Sequence, residues 1–85
     1  MASTYTADDV IGAMRKRVFQ DIKDHDGATC DEIEARLDLR HQTASARVNE
    51  LYRRGFIQDL GFRRRTRGGR NAIVWKVAIA ENKAA

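Results

Sequence analysis

The chain has 85 residues, a formal net charge of +4, 42% hydrophobic and 33% charged residues, no proline and one cysteine. That length holds one small domain with little room for a buried catalytic pocket, and the composition is that of a folding chain with an ionic surface. Cys30 alone excludes an intramolecular disulfide, and with neither a signal-like N-terminus nor an apolar run of bilayer length, a soluble, cytoplasmic protein is expected.

Thr6 followed by Asp9 has the pattern of a helix N-cap with an acidic first turn. Val10, Ile11, Met14, Val18, Phe19 and Ile22 then recur at helical spacing, which predicts a helix over about 7–24. The stretch "KDHDGA" ends it, with Gly27 expected to supply the positive φ of a helix terminator. Thr29 and Glu32 form a T-x-x-E capping box at the start of a short second helix, about 30–37, with Cys30, Ile33 and Leu37 on one face. A third helix is predicted over about 41–54, where Ala44, Val48 and Leu51 make an apolar stripe that Tyr52 widens, and Gly55 stops it.

At about 100° per residue, the face opposite that stripe carries Gln42, Ala46, Asn49 and Arg53, flanked by Thr43, Ser45 and Glu50. A merely solvated face tends toward Glu and Lys. Two carboxamides, an arginine and an alanine that permits close approach instead match the chemistry that reads base edges in a major groove.

From Phe56 to about residue 78 the apolar period changes to two, with Ile57, Leu60 and Phe62 on one arm and Ile73, Trp75 and Val77 on the other. This predicts an antiparallel hairpin. If Gly68 and Gly69 form a two-residue turn, Arg67 faces Arg70, Phe62 faces Trp75 and Leu60 faces Val77, so that apolar cross-strand pairs anchor the hairpin. Trp75 is expected in the core, beneath the hairpin and against the third helix. The tail "AIAENKAA" carries no motif, and a single domain over 1–85 is expected.

Charge is divided along the chain. Residues 1–39 hold five Lys/Arg against nine Asp/Glu, whereas residues 40–76 hold ten against two, and nine of those ten are arginine. Arginine suits bidentate contact to phosphate and guanine, so the second half points to a nucleic-acid partner. Gln42 and Asn49 are the candidates for base contact, with Ala46 between them, while Arg40, His41, Thr43 and Ser45 at the helix start and Arg53 near its end suit phosphates. In the hairpin, Arg63 and Arg65 share one face. Arg64 falls on the other, beside Ile73, with a partly structural role, and Thr66, Arg67, Gly68, Gly69 and Arg70 make the tip.

"GATCDEIEARLDLRHQTASARVNELYRRGFI" resembles the pattern of MarR-like and related bacterial and phage regulators: a capped short helix, an L-x-L turn, a T-x-S start to a recognition helix and a closing L-x-x-x-G-[LF]-I. Leu37, Leu39, Thr43, Ser45, Leu51, Gly55 and Ile57 fill those positions. "TRGGRNAIVWKV" is similar to the wing of small phage-type winged-helix proteins. The resemblance spans about 7–78. It implies a mainly α fold with a small antiparallel hairpin, a winged helix-turn-helix of three helices and a two-stranded wing. It further implies helix 41–54 in the major groove of double-stranded DNA, the wing on phosphates or minor groove, and transcriptional regulation. The chain is too short for the terminal helices by which MarR-like proteins dimerise. A homodimer therefore stays open, with Phe19 either a dimer contact or part of the core.

Asp24, His25, Asp26 and Cys30 include zinc donors, but a lone thiol expected to face the core, without paired spacing, is read as a small buried hydrophobe. No arrangement of nucleophile, base and orienting group is recognisable, so no enzyme activity, cofactor or metal is expected, and no small-molecule effector is evident. Two other functions remain: a protein interaction module, and an architectural subunit of a DNA-processing complex.

Overall fold

The computed structural model describes the backbone of residues 7–78 and the side chains from Val10 onward. Three helices, α1 (Ala7–Asp24), α2 (Cys30–Leu37) and α3 (His41–Arg53), precede an antiparallel hairpin of β1 (Ile57–Arg65) and β2 (Asn71–Val77). This is the expected α+β arrangement, close to the spans read from periodicity. The cap expected from Thr6 and the Asp9 side chain lies outside the described residues.

Apolar residues at helical spacing converge from all three helices. Val18 and Ile22 of α1, Ile33 of α2, and Ala44, Val48 and Leu51 of α3 close over Ala28 and Ile57 in one core, with Phe19, Leu37, Leu39, Trp75 and Val77 packed against it. The predicted capping box starts α2: Glu32 N–H donates to Thr29 Oγ1 and Thr29 N–H to Glu32 Oε1, both at 3.1 Å. Asp38, at φ 56°, turns the chain between Leu37 and Leu39. At the end of α3, Gly55 N–H donates to Tyr52 O and Phe56 N–H to Leu51 O, which satisfies two orphan carbonyls.

The end of α1 differs from expectation. Asp26, at φ 53°, takes the left-handed position that terminates the helix, and its N–H donates to Lys23 O while that of Gly27 donates to Ile22 O. Gly27 is required for another reason: at φ 116° a Cβ there would lie 3.0 Å from Lys76 Cδ and 3.1 Å from Val74 Cγ1. Close approach of β2, not helix termination alone, selects glycine.

Two polar locks hold the helices in place. Asp21 on α1 is buried, with a side chain 5% exposed, and receives both Nε and Nη2 of Arg36 from α2 at 2.8–3.2 Å. Glu50 on α3 receives Arg47 from its own helix and Arg15 from α1. Hydrogen bonds from Arg47, aided by Arg15, hold the Glu50 carboxyl below its usual range against the opposing effect of partial burial.

The hairpin exists, but its register is not the expected one. The tip is a three-residue loop, Arg67–Gly69, closed by Thr66 N–H to Arg70 O at 2.8 Å and Gly69 N–H to Thr66 O at 2.9 Å. Gly69 alone has positive φ, 84°, the pattern of a type I turn followed by a left-handed bulge residue. From the tip the pairs are Arg65 with Asn71, Arg64 with Ala72 and Arg63 with Ile73. Arg64 therefore shares a face with Ala72, not Ile73.

Beyond Arg63 the ladder is interrupted. β1 places Leu60, Gly61 and Phe62 opposite Val74 alone before pairing resumes as Asp59 with Trp75 and Ile57 with Val77. Asp59 Oδ1 builds this bulge by accepting Gly61 N–H and Arg63 Nη1, each at 2.9 Å. Neither Phe62 with Trp75 nor Leu60 with Val77 is a pair, and Phe62 and Leu60 are exposed, Phe62 lying beneath the Lys76 ammonium at 5.2 Å. Anchorage comes from β2 instead. Trp75 exchanges backbone hydrogen bonds with Ala28, which makes β2 the middle of three extended segments, and its ring tilts against Tyr52 of α3 at 5.3 Å, beneath the wing as expected.

Candidate nucleic-acid interface

The α3 stripe of Ala44, Val48 and Leu51 is buried, and burying it turns the opposite face to solvent. Gln42, Ser45, Asn49 and Arg53 are exposed there, with Thr43 and Ala46 half-buried beside them. Among the described residues, none of these side chains is engaged in a hydrogen bond or ion pair. A polar face with unspent donors and acceptors on a rigid helix can pair with an external hydrogen-bonding pattern without first breaking internal bonds. At the start of α3, Arg40 occupies the N-cap position with no side-chain cap bond, leaving the first-turn N–H groups open to an anion. His41 is exposed but not free, since Nδ1 lies 2.7 Å from Glu34 Oε2.

The wing arginines fall into two sets. Arg63 is held by Asp59, Arg64 by Glu32 at 2.6 Å, and Arg67 by Asp31 at 2.7 Å through a bidentate pair, its backbone N–H also donating to Asp31 Oδ2 at 3.1 Å. Hydrogen bonds from Arg67 hold the Asp31 carboxyl below the usual range. Partial burial pushes Glu32 the other way, but hydrogen bonds from Arg64 and Thr29 N–H outweigh it and leave that carboxyl lowered too. Arg65 and Arg70 are exposed and unpaired among the described residues, and the Arg65 guanidinium reaches to 4.0 Å from the Cβ position of Gly69 at the tip.

The wing is thus clasped onto the acidic first turn of α2. Individually such exposed pairs are worth about 0–1 kcal/mol, but Arg64 and Arg67 together fix the wing's direction relative to α3. Arg64, expected beside Ile73 with its stem over apolar surface, instead lies opposite Ala72 with its guanidinium on Glu32. Asp31 and Glu32 are not legible as wing partners in the sequence, because complementarity across about thirty-five residues leaves no local signal, although two acids in a first turn facing an arginine-rich hairpin are the residue types such a clasp needs.

Metal-capable donors do converge, though not at Asp24, His25 and Asp26. Cys30, Glu34 and His41 bring their donor atoms within 4.8 Å of one another. Burial, reinforced by Glu34, pushes the Cys30 thiol up to about 12, so it stays protonated and donates to Glu34 Oε2 at 3.6 Å. His41 shares that oxygen, and the trio works as a hydrogen-bonded clasp between α2 and the first residue of α3.

Residues 13–58, more than half of the chain, match the family model described as helix-turn-helix domain, spanning most of α1, all of α2 and α3 and the first strand residues. The chain belongs to the helix-turn-helix domain family. In the helix-turn-helix, α2 and α3 form the two-helix unit around the Asp38 turn, and the hairpin that follows is consistent with a winged helix. Membership suggests DNA binding, and domains of this family are typically binding modules rather than enzymes. No curated protein matches the helix-turn-helix chain. Among its described residues no helix is long and apolar enough to cross a membrane.

Proposed function

We propose that this helix-turn-helix protein binds double-stranded DNA sequence-selectively and regulates transcription. The observation that carries the reading is the exposed α3 face of Gln42, Ser45, Asn49 and Arg53, without internal partners, on the helix that helix-turn-helix proteins insert into the major groove. Gln42 and Asn49 pair with adenine edges, and Ala46 leaves room for close approach. Arg40, Arg53 and the first turn of α3, with Thr43 and His41, contact phosphate. In the wing, Arg65 and Arg70 reach the flanking backbone or minor groove directly, Gly68 and Gly69 keep the tip slim beside Thr66, and Arg63 and Arg67 contribute only on leaving Asp59 and Asp31.

The test is selection of bound duplexes from a random pool, repeated with variants. Gln42→Ala or Asn49→Ala is expected to change the preferred sequence, whereas Arg65→Ala and Arg70→Ala weaken binding to every sequence alike. Uniform weakening by all four variants contradicts this division of roles. A palindromic consensus reports a two-fold dimer, and a single half-site a monomer.

A further inference from the structure

On the side of α3 turned toward α1, a groove of about 740 Å³ opens between α1, the end of α3 and the residue after Gly55. Its floor is apolar: Phe19 and Phe56 meet edge to face with centroids 5.9 Å apart, and Leu51 lies between the helices. Its rim is cationic. Arg15, Lys16, Arg17 and Arg54 line it with no acidic residue, and of these only Arg15 has a partner among the described residues, Glu50. Gln20 and Gly12 complete the lining. In a helix interior glycine is less favourable than alanine, yet among the described residues a Cβ at Gly12 would meet nothing closer than Arg15 Nη2 at 3.8 Å, so packing against them does not explain it.

We infer that this groove docks an acidic amphipathic helix of a partner protein, its apolar side on Phe19 and Phe56 and its carboxylates against Lys16, Arg17 and Arg54. A helix-in-groove contact needs an apolar floor for anchors spaced at i, i+3, i+4 and i+7 and a rim of opposite charge, and the absence of any side chain at Gly12 lets the partner backbone approach α1. A phosphate backbone would leave the aromatic floor unused. A second copy docked groove to groove would set the same three cations against each other, which disfavours a two-fold contact here. Leu51 belongs to the α3 stripe opposite Gln42 and Asn49, so the partner and a duplex occupy different sides of the helix.

The test uses the full chain and a labelled peptide bearing Leu and Phe at i, i+3, i+4 and i+7 and Asp and Glu elsewhere, followed by fluorescence anisotropy. Saturable binding is expected, with a peptide of the same composition but scrambled apolar spacing weaker by about tenfold or more. Combined Lys16→Glu and Arg17→Glu, measured at about 200 mM salt where long-range repulsion of a duplex is screened, is expected to weaken the peptide by about tenfold or more and the selected duplex far less. Gly12→Gln, which fills the approach without disturbing the core, is expected to block the peptide at an unchanged or higher melting temperature. No binding, or equal binding of the scrambled peptide, overturns the inference. So does an equal loss of duplex and peptide binding on charge reversal, which would make the groove a nucleic-acid surface, or a dimer in sedimentation that Gly12→Gln converts to monomer. A chain that binds the peptide but no duplex refutes the proposed function alone.

Discussion

Asp31 holds the wing-tip arginine Arg67 in a bidentate pair at 2.7–3.1 Å, so replacing it by Asn tests whether α2 restrains a DNA contact. Asn at this position keeps an oxygen for the Arg67 N–H and removes the charge that pins the guanidinium. With Arg40, Arg53, Arg65 and Arg70 as the cations free on the proposed face, four phosphates are neutralised, and the log-log salt slope is about −3.6. Affinity then falls roughly 150-fold between about 50 and 200 mM salt. Releasing Arg67 adds a fifth phosphate, steepening the slope to about −4.5 and the loss to roughly 500-fold over the same range. Anisotropy titrations of the selected duplex at four or so salt concentrations give the slopes. Affinity at low salt should rise in Asp31→Asn, and adding Arg67→Ala should return the slope to the parent value, since the two changes act through one pair. An unchanged slope in Asp31→Asn, with the wing still folded by Trp75 fluorescence, refutes the idea that α2 competes with DNA for Arg67.

Two further outcomes concern the fold around the interface. Arg36→Met leaves the buried Asp21 carboxylate with only His25, whose Nδ1 lies 3.6 Å away, and should destabilise by about 2 kcal/mol, below the range for fully buried pairs because Arg36 is itself 32% exposed. In a domain of this size that lowers the melting temperature by about 10 °C, and a loss under about 2 °C contradicts the assigned lock. Cys30, raised to about 12, should react with iodoacetamide very slowly at neutral pH and faster as pH climbs toward that value, and Glu34→Gln should accelerate it by removing the adjacent charge. The folded-state value lies above the unfolded one, so the thiol's contribution to stability is intact below its ordinary value near 9 and declines between 9 and about 12. Fast alkylation at pH 7 would show that the thiol is not held this way.

Much of this protein was legible in its order of residues because the deciding interactions are local. Helix spans follow from apolar spacing, the α2 start from Thr29 and Glu32 within one turn, and the α3 outward face from geometry that any helix with Ala44, Val48 and Leu51 inside must obey. The hairpin was also local, but its register was not. Two glycines in succession suggested a two-residue turn, whereas Gly69 alone takes the left-handed position, and Asp59 gathers Gly61 and Arg63 into a bulge that shifts the remainder of β1. The three-residue step from Ile57 to Leu60 does break the alternation, but a broken period alone does not say which residues are left out of the pairing.

Residue order alone set the helix spans, the capped start of α2, the buried stripe, the presence of a hairpin and the concentration of arginine in the second half. Which arginines remain free depended on the folded chain. Arg64 and Arg67 meet Glu32 and Asp31 because folding brings the wing over the first turn of α2, and Arg65 and Arg70 escape because no carboxylate among the described residues faces them. Short-range structure follows from neighbours in the chain. Charge pairing follows from neighbours in space, which depend on a bulge, a three-residue loop and the middle position of β2 acting together.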